Sequence, residues 1–313
     1  MPEGHVTHRM ARSYEEDFAG RATRSSSPQG RFAHEASIID GRTLEAAEAY
    51  GKHLFCHFGQ DIVHIHLGMA GKSSWHHAQE TQTSSQERPV VGAVRWRLET
   101  EESWCDLRGP AICELIDESG RQAVLARLGP DPLREDADPE QAWNRIQRSS
   151  LPIAALLMDQ KVMAGVGNIF RAEALYRAQL DPMMPGTALR KAEFDELWDD
   201  LVGLMHAAVA RGRIDTVRPE HEPQVTGRAP RQDRHGGEVY VYRRDGQQCH
   251  VCGALVRTQV LAGRNLFWCP GCQPLSRRAA AVAARRAAKD AAAAHRVAER
   301  AASKHSTDEG SAL

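Results

Sequence analysis

The sequence predicts an α+β protein in which a β-sandwich comes first, a helical domain second and a short cysteine-bounded β-hairpin third. Three observations carry this. Short β-branched or alternating apolar runs, broken by glycine and polar turns, fill the first third of the chain; apolar residues then take up a spacing of three and four; and four cysteines stand in two close pairs near the end. At 313 residues and 42% hydrophobic content, the chain is long enough for two compact cores.

In order, a helix is expected over residues 5–18, then strands over 37–40, 53–58, 62–67, 94–99 and 112–116. The polar stretch 76–89 is expected to be a mobile surface loop. These elements make residues 1–125 the sandwich domain. From Pro139 the period turns helical, with Ile153, Leu156 and Leu157 and then Leu197, Leu201 and Leu204 on one face, so 126–211 reads as the second domain. Residues 212–245 are rich in Gly, Pro, Arg and His with little period and read as a linker or loosely ordered loop. Residues 246–273 hold the cysteines, and 274–313 form an Ala/Arg-rich tail, expected to be a solvated helix or disordered. Between Arg277 and His305 that tail has eight Lys/Arg against two acidic residues, whereas the whole chain is balanced at a net charge of −1 and gives no global sign of a nucleic-acid partner.

No apolar run approaches the roughly 18 residues of a membrane span, and the N-terminus lacks signal-peptide architecture, so the expectation is a cytoplasmic protein with no membrane partner. Seven cysteines in that compartment argue for metal or free thiols rather than disulfides. Cys56, Cys105 and Cys113 lie on apolar β segments and read as buried small hydrophobes. The other four, Cys249-x2-Cys252 and Cys269-x2-Cys272 with sixteen residues between the pairs, supply four thiolates for one tetrahedral Zn2+. With no open position, the metal is structural. Strands over 256–261 and 266–268 flank a turn at 263–265, which puts Arg264 near a rigid tip. There its planar fork suits a phosphate, although on spacing alone it reads equally as a solvated turn arginine.

A second anion site is suggested in the helical domain. A helix over 152–163, a Gly165-Val166-Gly167 turn and Asn168 capping a helix over 169–178 bring free backbone N–H groups and a positive dipole end together. An ordinary turn with an Asn cap has the same signature. At the other end of the chain, Met1-Pro2-Glu3-Gly4 allows removal of Met1, which turns the Pro2 nitrogen into a secondary α-amine. Such an amine titrates near pH 8, against about 10.4 for lysine, and its adduct with an aldehyde is an iminium charged at every pH.

Met1-Pro2-Glu3-Gly4, Met163-Ala164-Gly165-Val166-Gly167-Asn168-Ile169 and the four-cysteine hairpin occur in the order found in the formamidopyrimidine-DNA glycosylase and endonuclease VIII family, which the chain resembles over residues 1–273. The resemblance implies a β-sandwich joined to a helix-two-turn-helix domain with a zinc finger, and a bifunctional DNA glycosylase and abasic-site lyase of base excision repair. Its partner would be damaged double-stranded DNA, bound by a monomer that associates with the bacterial nucleoid. Residue by residue, it makes Pro2 the nucleophile, Glu3 the acid/base beside it, Lys52 a phosphate contact assisting β-elimination, and Asn168 and Arg264 the phosphate grip, with Arg264 also tied to δ-elimination. It makes Met69 the side chain that fills the gap left by a flipped base. Arg108 is expected to insert toward the orphan base, but it matches only half of the purine branch's wedge: Arg108-Gly109-Pro110 lacks the second arginine and the aromatic. With Gly129-Pro130-Asp131-Pro132-Leu133, this favours oxidised pyrimidines and abasic sites over the purine branch. The rival readings are a non-catalytic damage-binding homologue and an unrelated zinc ribbon.

Overall fold

In the computed structural model, the residues described are 2–78, 88–232, 237–282 and 284. Helix α1 (Gly4–Phe18) opens the chain, followed by β1 (Arg24–Ser26), α2 (Ala33–Ile39), β2 (Ala46–Tyr50), β3 (His53–Phe58), β4 (Asp61–His66), β5 (Lys72–His77), β6 (Val94–Glu99), β7 (Ser103–Arg108), β8 (Ile112–Ile116) and α3 (Glu118–Leu125). Two antiparallel four-stranded sheets, ordered β1-β6-β7-β5 and β2-β3-β4-β8, form the sandwich. Strand alternation sends Leu54 and Cys56, Val63 and Ile65, Leu98, Cys105 and Leu107 inward. Helix α1 adds Met10, Tyr14 and Phe18, spaced four apart on one face, and lies against β2 and β3.

Two expectations for this half are corrected. Residues 37–40 are not a strand: Ala36 and Ile39, three apart, bury one face of α2, and this contact overrides the β-branched character of Ile38-Ile39. Within 76–89, His76 and His77 belong to β5, and Arg88 is buried, donating to the carbonyls of Thr100 (2.7 Å) and Glu101 (2.6 Å). Residues 79–87 of the expected loop lie outside the described residues.

Glu48 on β2 ties the sandwich to α3 and to the segment leading into the second domain. It accepts from Arg121 of α3 (2.6 Å) and from Arg134 (3.3 Å), and pairs with His57 (3.3 Å). The His57 hydrogen bond, helped by Arg121 and opposed by burial, holds its carboxyl down from the usual 4.5 to about 2. A depressed carboxyl stabilises the fold above its unfolded value, and that contribution is lost as pH falls through the folded one. Glu48→Gln should therefore lower the thermal midpoint by a few degrees at pH 7, and the gap from wild type should close as pH drops from 4.5 toward 2. A gap that is constant across a calorimetric pH series would rule this out.

The helical domain comprises α4 (Pro139–Ile146), α5 (Ile153–Leu156), α6 (Asn168–Arg177), α7 (Lys191–Arg211) and the short α8 (Pro223–Thr226). Asp138 caps α4 by accepting from Glu140 N, with Pro139 in the first turn. Gly212, left-handed at φ 72°, ends α7. The single helix expected over 152–163 is instead the one-turn α5 followed by turns. Helix α6 is buried from Asn168 through Tyr176, which makes it the centre of the domain rather than a surface element.

Part of the stretch expected to be a linker is packed, and residues 233–236 of it lie outside the described residues. Glu173, fully buried on α6, accepts from the backbone of Tyr240 (2.7 Å), Val241 (2.8 Å) and Tyr242 (2.8 Å), and from Thr216 Oγ1 (2.5 Å). Val239 to Tyr242 thereby join the helical core. Strands β9 (Arg257–Leu261) and β10 (Arg264–Trp268) form the terminal hairpin. Ala262 (φ 50°) and Gly263 (φ 72°) make its two-residue loop, so Arg264 begins β10 instead of sitting in the turn. At the start of the tail residues 277–282 are helical, Ser276 N donates to Asp181 (3.1 Å), and Ala279 and Val282 pack on the helical core; residues 283 and 285–313 lie outside the described residues. Among the described residues no helix is long and apolar enough to cross a membrane.

Candidate active site

Four chain segments meet where glycines permit it. Gly4 N donates to Gly165 O (2.8 Å), and a Cβ on Gly4 would fall 2.9 Å from Gly165 Cα. Gly51, at φ +59°, lies under Ala164, where a Cβ would fall 2.9 Å from that residue's Cβ. Gly167 faces Glu3 so closely that a Cβ would come within 2.7 Å of Oε1 and nearer still to the carboxyl carbon. The start of α1, the β2–β3 turn carrying Lys52 and the turn before α6 are thus pressed into one crossing.

Glu3 lies at its centre, fully buried. Oε1 accepts from Ile169 N (2.8 Å), and Oε2 from Gly167 N (3.0 Å) and Phe170 N (3.3 Å). The anion expected at this helix terminus is therefore the chain's own carboxylate, and Gly167 rather than Asn168 is the N-cap. Burial raises the Glu3 pKa, opposed by Lys52 and the three N–H groups. Lys52 Nζ donates to Val166 O (2.8 Å); burial lowers its pKa, and the neighbouring Glu3 charge holds it up. The pair thus brings a carboxyl with a raised pKa and an amine with a lowered one to the same crossing, each shifted toward neutrality by burial.

Sequence reasoning missed two residues that fix this geometry. Asp131, buried, accepts from Gly51 N (2.7 Å) and Leu133 N (3.0 Å) and pairs with His8 Nε2 (2.7 Å), so it holds the Lys52 turn to α1 and to the second domain. Arg171, also fully buried, bonds Asn168 Oδ1, Asn265 O (3.2 Å) and Ala154 O (3.3 Å), and burial brings its pKa down to about 10. The signal for Arg171 is a charge three residues after Asn168, on a helix that also carries Glu173 and Arg177. Asp131 lies within Gly129-Pro130-Asp131-Pro132-Leu133, and no local pattern there marks it as a tie between α1 and the Lys52 turn.

Asn168 Nδ2 donates to Asn265 O (3.0 Å) on the hairpin. One residue away, Arg264 Nη1 lies 3.1 Å from Met69 Sδ, and Met69 is 66% exposed on its turn. The structure thus joins Met69, Asn168 and Arg264 at one edge, next to the Pro2–Glu3–Lys52 crossing. Arg108 is held elsewhere, folded back on Val91 O (2.7 Å), Ser74 Oγ (2.9 Å) and Asp106 (2.7 Å). Its expected reach toward an orphan base would require these bonds to break. A cavity of about 730 Å³ opens beside Pro2, walled by α1, β5 and Ile169.

In the hairpin, the Sγ atoms of Cys249, Cys252, Cys269 and Cys272 lie within 4.8 Å of one another. A tetrahedron with Zn–S near 2.3 Å has S···S edges of about 3.8 Å, so the cluster fits one zinc ion with no open position. Tyr176 OH, 3.2 Å from Cys249 Sγ, and Val251 N support the ligands from outside.

A β-sandwich and a helix-two-turn-helix domain meeting at a buried glutamate beside residue 2, with a four-cysteine hairpin reaching back to the seam, define a class of base-excision-repair glycosylases. Family models match each part: the formamidopyrimidine-DNA glycosylase N-terminal domain over residues 1–112, its H2TH domain over 128–218, and the zinc finger found in FPG and IleRS over 246–275. The chain is 50% identical over 275 residues to Endonuclease 8 1 of Mycobacterium tuberculosis, covering 87% of this chain and all of that one. It is 32% identical over 276 residues to Endonuclease 8 2 of Mycobacterium bovis, again covering 87% and 100%. Lactococcus lactis Fpg in complex with an N7-benzyl-Fapy-dG DNA superposes with a TM-score of 0.70 at 22% identity, over 88% of this chain and all of that one, a likeness of fold. The chain belongs to the formamidopyrimidine-DNA glycosylase and endonuclease VIII family.

Proposed function

We propose that the protein is a bifunctional DNA glycosylase and abasic-site lyase acting on duplex DNA with oxidised bases, pyrimidines before purines. It works as a monomer in the bacterial cytoplasm, on the nucleoid. The observation that carries this is Glu3: a fully buried carboxyl, raised by burial and locked by three N–H groups directly after Pro2. A purely structural carboxylate has no need of such a neighbour, whereas a carboxyl with a raised pKa is suited to proton transfer at neutral pH.

In this reading the freed Pro2 amine attacks C1′ of the flipped nucleotide and the base leaves with a proton managed by Glu3. The sugar ring opens to an iminium. The iminium acidifies C2′–H, and loss of that proton expels the 3′ phosphate by β-elimination; a second elimination of the 5′ phosphate would follow with Arg264. Lys52, Asn168 and Arg264 hold the flanking phosphates, Met69 fills the gap in the stack, and Arg108, once released, turns to the opposite base. The zinc does no chemistry. The short Arg108-Gly109-Pro110 turn and a 50% identical relative named an endonuclease 8 support the pyrimidine preference.

Borohydride trapping on a duplex with an abasic site tests it. Protein lacking Met1 should give a covalent adduct, Pro2→Gly should give at least about tenfold less, and protein retaining Met1 should give none, because its Pro2 nitrogen is an amide. Absence of adduct from processed wild type, or full yield from Pro2→Gly, overturns the mechanism. Preferential excision of 8-oxoguanine opposite cytosine overturns the branch assignment.

A further inference from the structure

His5 is 6% exposed on α1, in the wall of the cavity that holds Pro2, and makes no hydrogen bond among the described residues. Its Nδ1 is sealed from solvent without a partner. The ring stands edge-on to Phe170 of the second domain, centroids 5.5 Å apart and planes at 87°, so packing fixes its direction. A buried polar side chain normally has a partner, and of this ring's two nitrogens only Nε2 is not sealed, so Nε2 is the one a substrate in the cavity can satisfy. Burial pushes the imidazole down to about 4, so at working pH it is neutral and a poor proton carrier. It can still donate a hydrogen bond. An unpartnered buried N–H is rarer than an unpartnered acceptor, which leaves the proton on Nε2, the nitrogen the cavity can meet.

The rest of the wall is largely apolar, with Val6, Met10, Leu67, Ile169 and Ile214, and its charged side chains are all cationic. Arg9, Lys72 and Arg213 line it, Trp75 gives an aromatic face, and no Asp or Glu is among the lining residues. A cavity rich in donors and without carboxylates favours carbonyl oxygens over amino groups. We propose that His5 is a specificity-determining residue that donates a hydrogen bond from Nε2 to a carbonyl of the flipped base, biasing the cavity toward carbonyl-rich oxidised pyrimidines and against amino-bearing ones. This rests on the base-excision reading above and deepens it.

Two lesions isolate the difference: 5-hydroxyuracil and 5-hydroxycytosine differ in a C4 carbonyl beside N3–H against a C4 amine beside an unprotonated N3. In single-turnover assays on otherwise identical duplexes, wild type should excise 5-hydroxyuracil faster. His5→Ala should cut that excision about tenfold, the worth of one hydrogen bond in a closed site, and bring the two rates together. Cleavage of a preformed abasic site, which has no base to read, should fall at least fivefold less. His5→Gln, which keeps a donor, should recover part of the preference. An unchanged ratio in His5→Ala, or abasic cleavage falling in parallel with excision, overturns the inference; so does a His5→Gln variant as deficient as His5→Ala. A wild type that excises neither lesion sinks the glycosylase reading as well, whereas wild-type excision with an unchanged variant ratio sinks this inference alone.

Discussion

Gly167→Ala should cost the protein most of its activity, lowering single-turnover cleavage of an abasic duplex by roughly 100-fold. The added methyl would overlap the Glu3 side chain, whose carboxyl group is held in place by three backbone N–H groups. Either Glu3 moves off the α6 terminus, giving up the bonds from Gly167, Ile169 and Phe170, or the turn opens and separates the two domains. Overpacking of this kind costs about 1–3 kcal/mol, and unpairing a buried charge costs more, so the thermal midpoint should drop by several degrees as well. The control is Gly203→Ala on α7, where no atom lies within 4 Å of the added Cβ; it should leave both quantities near wild type. Full abasic-site activity in Gly167→Ala would show that the Glu3–Gly167 contact is dispensable and would remove the central support for Glu3 as the working acid.

That glycine shows how the sequence could be read and where reading stopped. Gly165 and Gly167 were legible as a turn allowing close approach, and a helix terminus that attracts an anion was legible too. What approaches was not: the carboxylate comes from residue 3, more than 160 positions away, and only the folded crossing reveals it. The same limit applies to the buried part of the expected linker. Val239-Tyr240-Val241-Tyr242 is an apolar run that could have warned against a loose loop, but its backbone is satisfied by Glu173, a charge whose burial no local pattern announces. By contrast, the cysteine pairs and the strands at Val94–Glu99 and Ile112–Ile116 were placed correctly, because spacing and alternation are local signals that tertiary contacts did not override.

Removing the zinc should abolish tight DNA binding while leaving the β-sandwich folded. Structural zinc sites supply on the order of 10 kcal/mol of folding free energy, far more than a two-stranded hairpin can gain alone. Without the metal, four thiol groups within 4.8 Å of one another have no counter-charge, and any thiolates among them repel. The loss does not stop at the hairpin. Cys249, Val256, Leu266, Phe267 and Cys269 are part of the helical core, and Asn265 O is the shared acceptor for Asn168 and the buried Arg171. With Asn265 displaced, Arg171 keeps its charge but loses an acceptor, a cost of about 1–3 kcal/mol borne by α6, the helix whose terminus holds Glu3. Chelation, or Cys269→Ser, is therefore expected to weaken binding to an abasic duplex by at least about 100-fold, and to lower the unfolding midpoint of the helical domain before that of the sandwich, resolved as two transitions by calorimetry. Metal analysis must show one zinc per chain lost. A zinc-free protein with undiminished affinity would mean that Arg264 and Asn168 are positioned by the helical core alone and that the hairpin is an accessory.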